Sequence, residues 1–408
     1  MAFRIWKTET FLPKLFWPCL LIKLLAGISL GFLYTWYFPV GDTFSYFKDA
    51  SVLASLARED FSSYLNILFF NTDISTLPII FFEPRAVFLS KITSVFNIAT
   101  LDNYWVVSLY FSFISFLASW NLVKMINHKI DGVTVPSVMA FLLMPSIVFW
   151  SSGLIKETLA AAALYYLTAI FLKIWFREKL SIATVILSLF SLWIFWHLKY
   201  YFTAIFLPVV VTTLLYRIIT RKGIARSASS EAIIWLAIFL LPIFLVSFVH
   251  PNFSPGRLLE VIVSNNAVFN QLSDPEDLVH FNDLQVTVRS ILRNAPWAFF
   301  SGFFRPLLFE AGNVLQFLAG VENTLVLFFF FAACVQAKQY LTSPHRLLAL
   351  AIIIYVTLLC ILITLSAPNF GTLSRYRTGY APFFVFLVLC NNPLLIYLQR
   401  SFYRLVSH

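Results

Sequence analysis

The run VTVPSVMAFLLMPSIVFWSSGLIKETLAAAALYYLTAIFLKIWF, residues 133–176, decides the fold class. Two apolar stretches, about Val133 to Trp150 and Leu154 to Phe176, flank the break Ser151-Ser152-Gly153, and Lys156, Glu157 and Lys173 are the charges of the whole run. Each stretch is close to the 17 to 25 residues, roughly, that an α-helix needs to cross about 30 Å of hydrocarbon. The pair therefore reads as a transmembrane hairpin with a very short outer turn.

Working outward, the same pattern recurs along the chain. Apolar windows begin near Leu24 (or Phe16) and near Tyr104, and two more, about Ile182 to Trp196 and Phe202 to Ile219, make a second hairpin. Others run from about Ala232 to Val249, Leu318 to Ala337, Leu347 to Ala367 and Tyr380 to Leu398. With 60% apolar and 12% charged residues and a mean hydropathy of +0.83, the chain cannot clothe a water-soluble globule in polar surface. The expectation is an all-α polytopic membrane protein of roughly ten transmembrane helices, one integral domain over residues 1–408.

The charges are sorted by side. With the amino terminus placed in the cytoplasm, seventeen of the 29 Lys and Arg fall in or beside inner segments, among them Arg4, Lys7, Lys23, Lys129, Arg221, Lys222, Arg226, Lys338, Arg346, Arg400 and Arg404. Only Glu9, Asp131, Glu178 and Glu231 oppose them there. The net charge of +10 thus reports a positive-inside topology with both termini cytoplasmic, not nucleic-acid binding. No small-residue cleavage site follows the first apolar run, so it reads as an uncleaved first helix. Cys19, Cys334, Cys360 and Cys390 lack CxxC spacing and the six histidines are scattered, so neither a disulfide framework nor a metal site is implied.

Two outer connections, 39–103 and 250–316, exceed what a link between spans requires. Apolar residues at helical spacing (Phe61, Tyr64, Leu65, Leu68; Leu284, Val288, Ile291, Leu292) predict helices lying on the membrane surface. The first connection opens with Gly41-Asp42-Thr43-Phe44-Ser45-Tyr46-Phe47-Lys48-Asp49, whose Asp42, Tyr46 and Asp49 share one helix face. Asp42 suits either an N-cap or a carboxylate used in chemistry.

A first transmembrane helix followed at once by an outer loop with Gly41-Asp42-x-x-x-Tyr46 resembles the GT-C fold of integral-membrane glycosyltransferases. That resemblance implies a catalytic carboxylate at Asp42, with Asp49 the second choice. Residues 145–157, Pro145 through Trp150-Ser151 to Lys156-Glu157, are similar to the Pro-x-x-x-x-Trp-Ser-x-x-x-x-Lys-Asp/Glu turn of bacterial surface-polysaccharide glycosyltransferases and polymerases. In the residues themselves, charges lodged at a span end are costly unless used, although Glu157 could favour a helix amino terminus and Lys156 could snorkel.

Further outer charges sit beside membrane ends: His197 and Lys199, Arg305 next to Glu310, Glu83 and Arg85, and the pair Arg375 and Arg377. Two guanidiniums can hold a phosphate bidentately; the alternative is ordinary headgroup contact. Late outer-loop arginines in the resembled families imply a hand for the lipid phosphate. Asp274, Glu276, Asp277 and Asp283 read as a solvated acidic face, and the sequon Asn252-Phe253-Ser254 is discounted.

The expected function is sugar transfer from a polyprenyl-phosphate-linked donor to a glycan or lipid acceptor, on the outer face of a bacterial cytoplasmic membrane, without cofactor. Trp150, Tyr200 and Tyr201 are candidates to stack on sugars. A repeat-unit polymerase is the neighbouring alternative, and a lipid or polysaccharide exporter the alternative from another class.

Overall fold

The computed structural model describes residues 12–38, 41–70, 74–219, 227–249, 255–336 and 342–406. The amino-terminal charges Arg4, Lys7 and Glu9, the basic turn Arg221 to Arg226, Lys338, the sequon and the first residues of both long connections lie outside the described residues. Among the described residues every regular element is helical. The chain divides into two compact units, Ile5–Thr203 and one that takes in Ala204–His408.

In the first unit, a 3₁₀ turn leads into α1 (Phe16–Trp36), followed by α2 (Asp42–Glu59), α3 (Phe61–Phe70), α4 (Pro84–Thr100) and α5 (Tyr104–Lys129). Next come α6 (Thr134–Val138), which runs on as a π turn through Met139–Leu143, then α7 (Pro145–Trp150), α8 (Lys156–Trp175) and the first part of α9 (Ile182–Ile219). The second unit holds the rest of α9, α10 (Ala228–Val249), α11 (Pro255–Leu272), α12 (Val288–Phe304), α13 (Val314–Cys334) and α14 (Arg346–Ser366). It ends with α15 (Phe370–Tyr376), α16 (Ala381–Leu389) and α17 (Pro393–Val406).

Among the described residues six helices are long and apolar enough to cross a membrane: Leu12–Trp36, α5, α8, α9, α13 and α14. A seventh is made if α16 and Pro393–Gln399, bent by 70°, are counted as one span. Two sequence readings meet specific interruptions. Met144, extended at φ −61° and ψ 116° before Pro145, splits the 133–150 window into short pieces, as the clash between a proline ring and the preceding residue demands. The predicted pair of helices over 182–219 meets at a kink at Lys199, whose backbone is non-helical (φ −144°, ψ 63°), and α9 takes in both.

Both long connections are helical. Asp60 starts α3 by accepting from the Ser62 and Ser63 amides, each at 3.1 Å, the standard N-cap use of a carboxylate. Tyr64 and Ile67 of α3 are buried against Leu53 and Ala57 of α2, with Leu65 and Leu68 packed on the same cluster. Lys91 of α4 closes the other end of α3, donating to the carbonyls of Ile67 and Leu68. In the second connection Ile291 and Leu284 pack on Ile262 and Ala298, whereas Val288 and Leu292 stay exposed. Ion pairs tie helix ends within each unit: Lys129–Glu178 at 2.6 Å and Arg58–Asp102 at 2.7 Å in the first, Glu231–Arg346 at 2.5 Å in the second.

Candidate functional site

The two motifs singled out in the sequence, 111 residues apart, are bonded together in the first unit: Thr43 Oγ1 donates to the Leu154 carbonyl at 2.7 Å. It also receives the Tyr104 hydroxyl at 3.0 Å. Gly41, extended at φ −78° and ψ 161°, is the N-cap of α2, so Asp42 is the first helical residue instead of the cap. A Cβ at Gly41 would collide with the Tyr34 ring, so α2 can start this close to α1 only with glycine there. A carboxylate in the first turn is favoured by the positive end of the helix dipole.

One turn on, the Tyr46 ring is fully buried with the Lys156 ammonium 4.9 Å from its centre and Phe81 packed at 5.0 Å. Asp49, another turn along, serves a different end. Its two oxygens accept from the amides of Ile80 (2.6 Å) and Phe81 (3.0 Å), and it is 1% exposed. Burial pushes its carboxyl above the ordinary value, against the opposing pull of those two amides. Asp49 therefore anchors the extended run before α4. Asp49→Ala is expected to leave two amides without an acceptor, at about 1–3 kcal/mol each. Hydrogen exchange should accelerate at Ile80 and Phe81, which checks this.

The Ser151-Ser152-Gly153 break is not an outer-edge turn. Ser151 bonds Lys23 on α1, Gly153 lies against Gly27 and Leu30 midway along α1, and its amide donates to Ser112 of α5 at 2.9 Å. From there the chain runs beside the carboxy-terminal half of α1, with Ile155 packed on Leu30 and Tyr34. Gly153 has φ +70°, a left-handed conformation open to glycine, and is hemmed in by Leu30, Gly27 and Ser108. Trp150 packs in the same cluster as Tyr34 and Phe44. The sequence placed the break at an interface because hydropathy windows cannot tell an unwound segment buried in protein from one in water.

Lys156 and Glu157, adjacent at the start of α8, face different partners. Glu157 is 1% exposed and pairs at 2.8 Å with Lys199, 3% exposed, at the interruption of α9. Lys199 is thus committed to a carboxylate, whereas Lys156 faces the Tyr46 ring. On the neighbouring surface Arg85 lies over Tyr200 (5.6 Å) and His197 stacks on Phe88 (4.7 Å), two rungs that join the start of α4 to α9. Glu83, exposed, is the N-cap of α4, and Tyr201 is 5.7 Å from the Lys199 ammonium.

The arginines of the second unit divide. Arg377 is 3% exposed and spends its guanidinium on the end of α12: Nε donates to Gly302 O (2.8 Å), Nη2 to the carbonyls of Ser301 (3.4 Å) and Arg305, and Nη1 to Asn323 (2.9 Å). Helix-terminal carbonyls lack intrahelical partners and attract cations, so this is a holding role, not a phosphate hand. Arg305 is paired with Glu310 (2.7 Å) and lies between Trp297 (5.0 Å) and Phe370 (5.2 Å). Arg375, on the short α15, is partly exposed. Arg377→Ala should therefore destabilise the protein, with about 1–3 kcal/mol for each carbonyl left bare. Arg375→Ala, at a partly exposed side chain, should cost less in detergent unfolding than Arg377→Ala.

The chain matches no family model, no curated protein and no solved structure.

Residue by residue, the first unit joins Tyr46 to Lys156 and Glu157 to Lys199 by direct contact and carries Asp42 at the start of α2, with Glu83, Arg85 and His197 around the entrance to α4. Arg305, Arg375 and Arg377 belong to the second unit. Sequence reasoning missed Thr43, Tyr104, Ser112 and Lys23 as partners of the site. Lys23 alone carried a signal, a charge within an apolar helix.

Proposed function

We propose that this chain is an integral-membrane glycosyltransferase of the GT-C kind, moving a sugar from a polyprenyl-phosphate-linked donor to a glycan or lipid acceptor at the outer face of a bacterial cytoplasmic membrane. The observation that carries this reading is the bonded contact between the Asp42 helix start and the 151–157 segment. It brings a carboxylate at a helix amino terminus and the Lys156 ammonium to one pair of contacting segments, α2 and the start of α8, beside the buried Glu157–Lys199 pair.

In this mechanism Asp42 takes the proton of the acceptor hydroxyl as its oxygen bonds the sugar's anomeric carbon. The bond from that carbon to the phosphate oxygen breaks, and the lipid phosphate leaves with the electron pair. Lys156 neutralises the charge that develops there. The ten-span topology with both termini cytoplasmic belongs to this proposal too. It is supported by the ion pairs Lys129–Glu178, Glu231–Arg346 and Arg58–Asp102, each of which joins two residues that the charge pattern assigns to one side.

A second class has an observation in its favour. Exporters use interrupted helices with buried polar groups, and here the α7–α8 break beside Lys23 and the α9 break at Lys199 have that form. Membranes carrying the protein, given a polyprenyl-phosphate sugar with radiolabel in the sugar, separate the readings. Label appearing in glycan or lipid with wild type but not with Asp42→Asn supports transfer. Label that needs a lipid-linked oligosaccharide donor supports the polymerase, and label that crosses the membrane still attached to its lipid supports the exporter.

A further inference from the structure

Lys23 is the most deeply placed cation of α1. It is 5% exposed, and among the described residues no carboxylate lies within ion-pair distance of it. A buried ammonium in an apolar helix is costly unless its protons are taken up. They are taken up at one place, the broken end of α7. Nζ donates to Ser151 Oγ at 2.5 Å and approaches the Val148 carbonyl at 3.5 Å. Ser151 Oγ in turn donates to Ile147 O (2.5 Å), and Ser152 Oγ to Val148 O (2.6 Å).

The short α7 thus ends with its last carbonyls covered by two serine hydroxyls and by a cation at the negative end of its dipole. That end is where the extended run Ser151–Ile155 begins. The run has three side-chain anchors from other elements: Lys23 of α1 at Ser151, Ser112 of α5 at Gly153, and Thr43 of α2 at Leu154. Remove the first and the run is held only from its middle onward, because Ser151 and Ser152 then bond only within their own turn.

We infer that Lys23 is a positioning residue of the candidate site, its buried ammonium closing the broken end of α7 and thereby fixing the extended run that carries Lys156 and Glu157. Lys23 touches no substrate in this scheme and acts through Ser151. Its bearing on catalysis rests on the glycosyltransferase reading; its bearing on the position of Lys156 does not.

The test uses the full-length protein in detergent, with Cys19, Cys334, Cys360 and Cys390 replaced by alanine and a single reporter, Lys156→Cys, treated with a polar maleimide. Ser181→Cys, in the exposed turn before α9, is the control reporter. With Lys23→Met the Lys156→Cys reporter should label about tenfold faster, as expected when a held segment opens locally, while the control is unchanged. Equal labelling of Lys156→Cys with and without Lys23 overturns the inference, whatever the protein's activity. If the control also accelerates, so that Lys23→Met has loosened the whole fold, Ser151→Ala is read in its place. It removes one hydroxyl and keeps the ammonium: faster labelling at position 156 alone supports the inference, and no change overturns it. In the transfer assay Lys23→Met and Ser151→Ala should be non-additive, the double variant no worse than the poorer single one. Additive losses would mean that the two side chains act separately and that Lys23 does not work through Ser151.

Discussion

Asp42→Asn is expected to lower sugar transfer by about 10²–10⁴-fold, the usual contribution of a positioned general base, with little effect on folding. The stability half of this follows from geometry. Gly41 and not Asp42 is the N-cap of α2, and an amide keeps the carboxylate's shape and one of its acceptor oxygens. What it does remove is negative charge at a helix amino terminus, about 0.3–1 kcal/mol. Asparagine keeps the shape and cannot accept the proton, so loss of rate with unchanged unfolding isolates the chemistry. Asp49→Asn is the contrasting variant. Asp49 is buried with both oxygens on backbone amides, so its effect should fall first on unfolding and only through it on rate. Were Asp42→Asn to transfer sugar at the wild-type rate, the carboxylate would have no role as base, and the base would have to be another group.

Much of this arrangement was legible in the sequence, for identifiable reasons. Long apolar windows located α1, α5, α8, α13 and α14 because an unbroken helix and a hydropathy window measure the same thing. The amphipathic spacing of Phe61 to Leu68 located α3 because its buried face, Tyr64 and Ile67, repeats at helical period. The breaks at Ser151-Ser152-Gly153 and around Lys199 were legible too, as the gaps between paired apolar windows, but the one at Met144 was not, because Pro145 breaks a run whose composition remains apolar throughout.

The site shows the same division. That Lys156 and Glu157 point apart follows from their adjacency on a helix, and the structure gives them the separate partners Tyr46 and Lys199. Which cation would be spent on a neighbour could not be read from spacing. Arg375 and Arg377 look equivalent as a pair two residues apart, yet Arg377 is committed to the carbonyls ending α12. Lys199 looked available for phosphate until Glu157, 42 residues away, was found against it. Contacts of that range depend on helix packing, which local pattern does not encode.

The buried Glu157–Lys199 pair carries the second large expected effect. Both side chains are almost wholly removed from solvent, so removing one partner strands a charge in a low-dielectric interior. Lys199→Met and Glu157→Gln are each expected to cost about 3–5 kcal/mol in unfolding. Replacing both with apolar residues of similar volume, Glu157→Leu with Lys199→Met, should recover most of that loss, because no uncompensated charge remains. Equilibrium unfolding of the four proteins in one detergent measures the coupling directly. Recovery in the double variant, combined with lost transfer, would assign the pair to holding the α9 interruption and the start of α8 in working register. Recovery of both stability and transfer would make the pair replaceable packing. If the double variant is as unstable as the singles, the ammonium or the carboxylate has other partners that matter more than the pair.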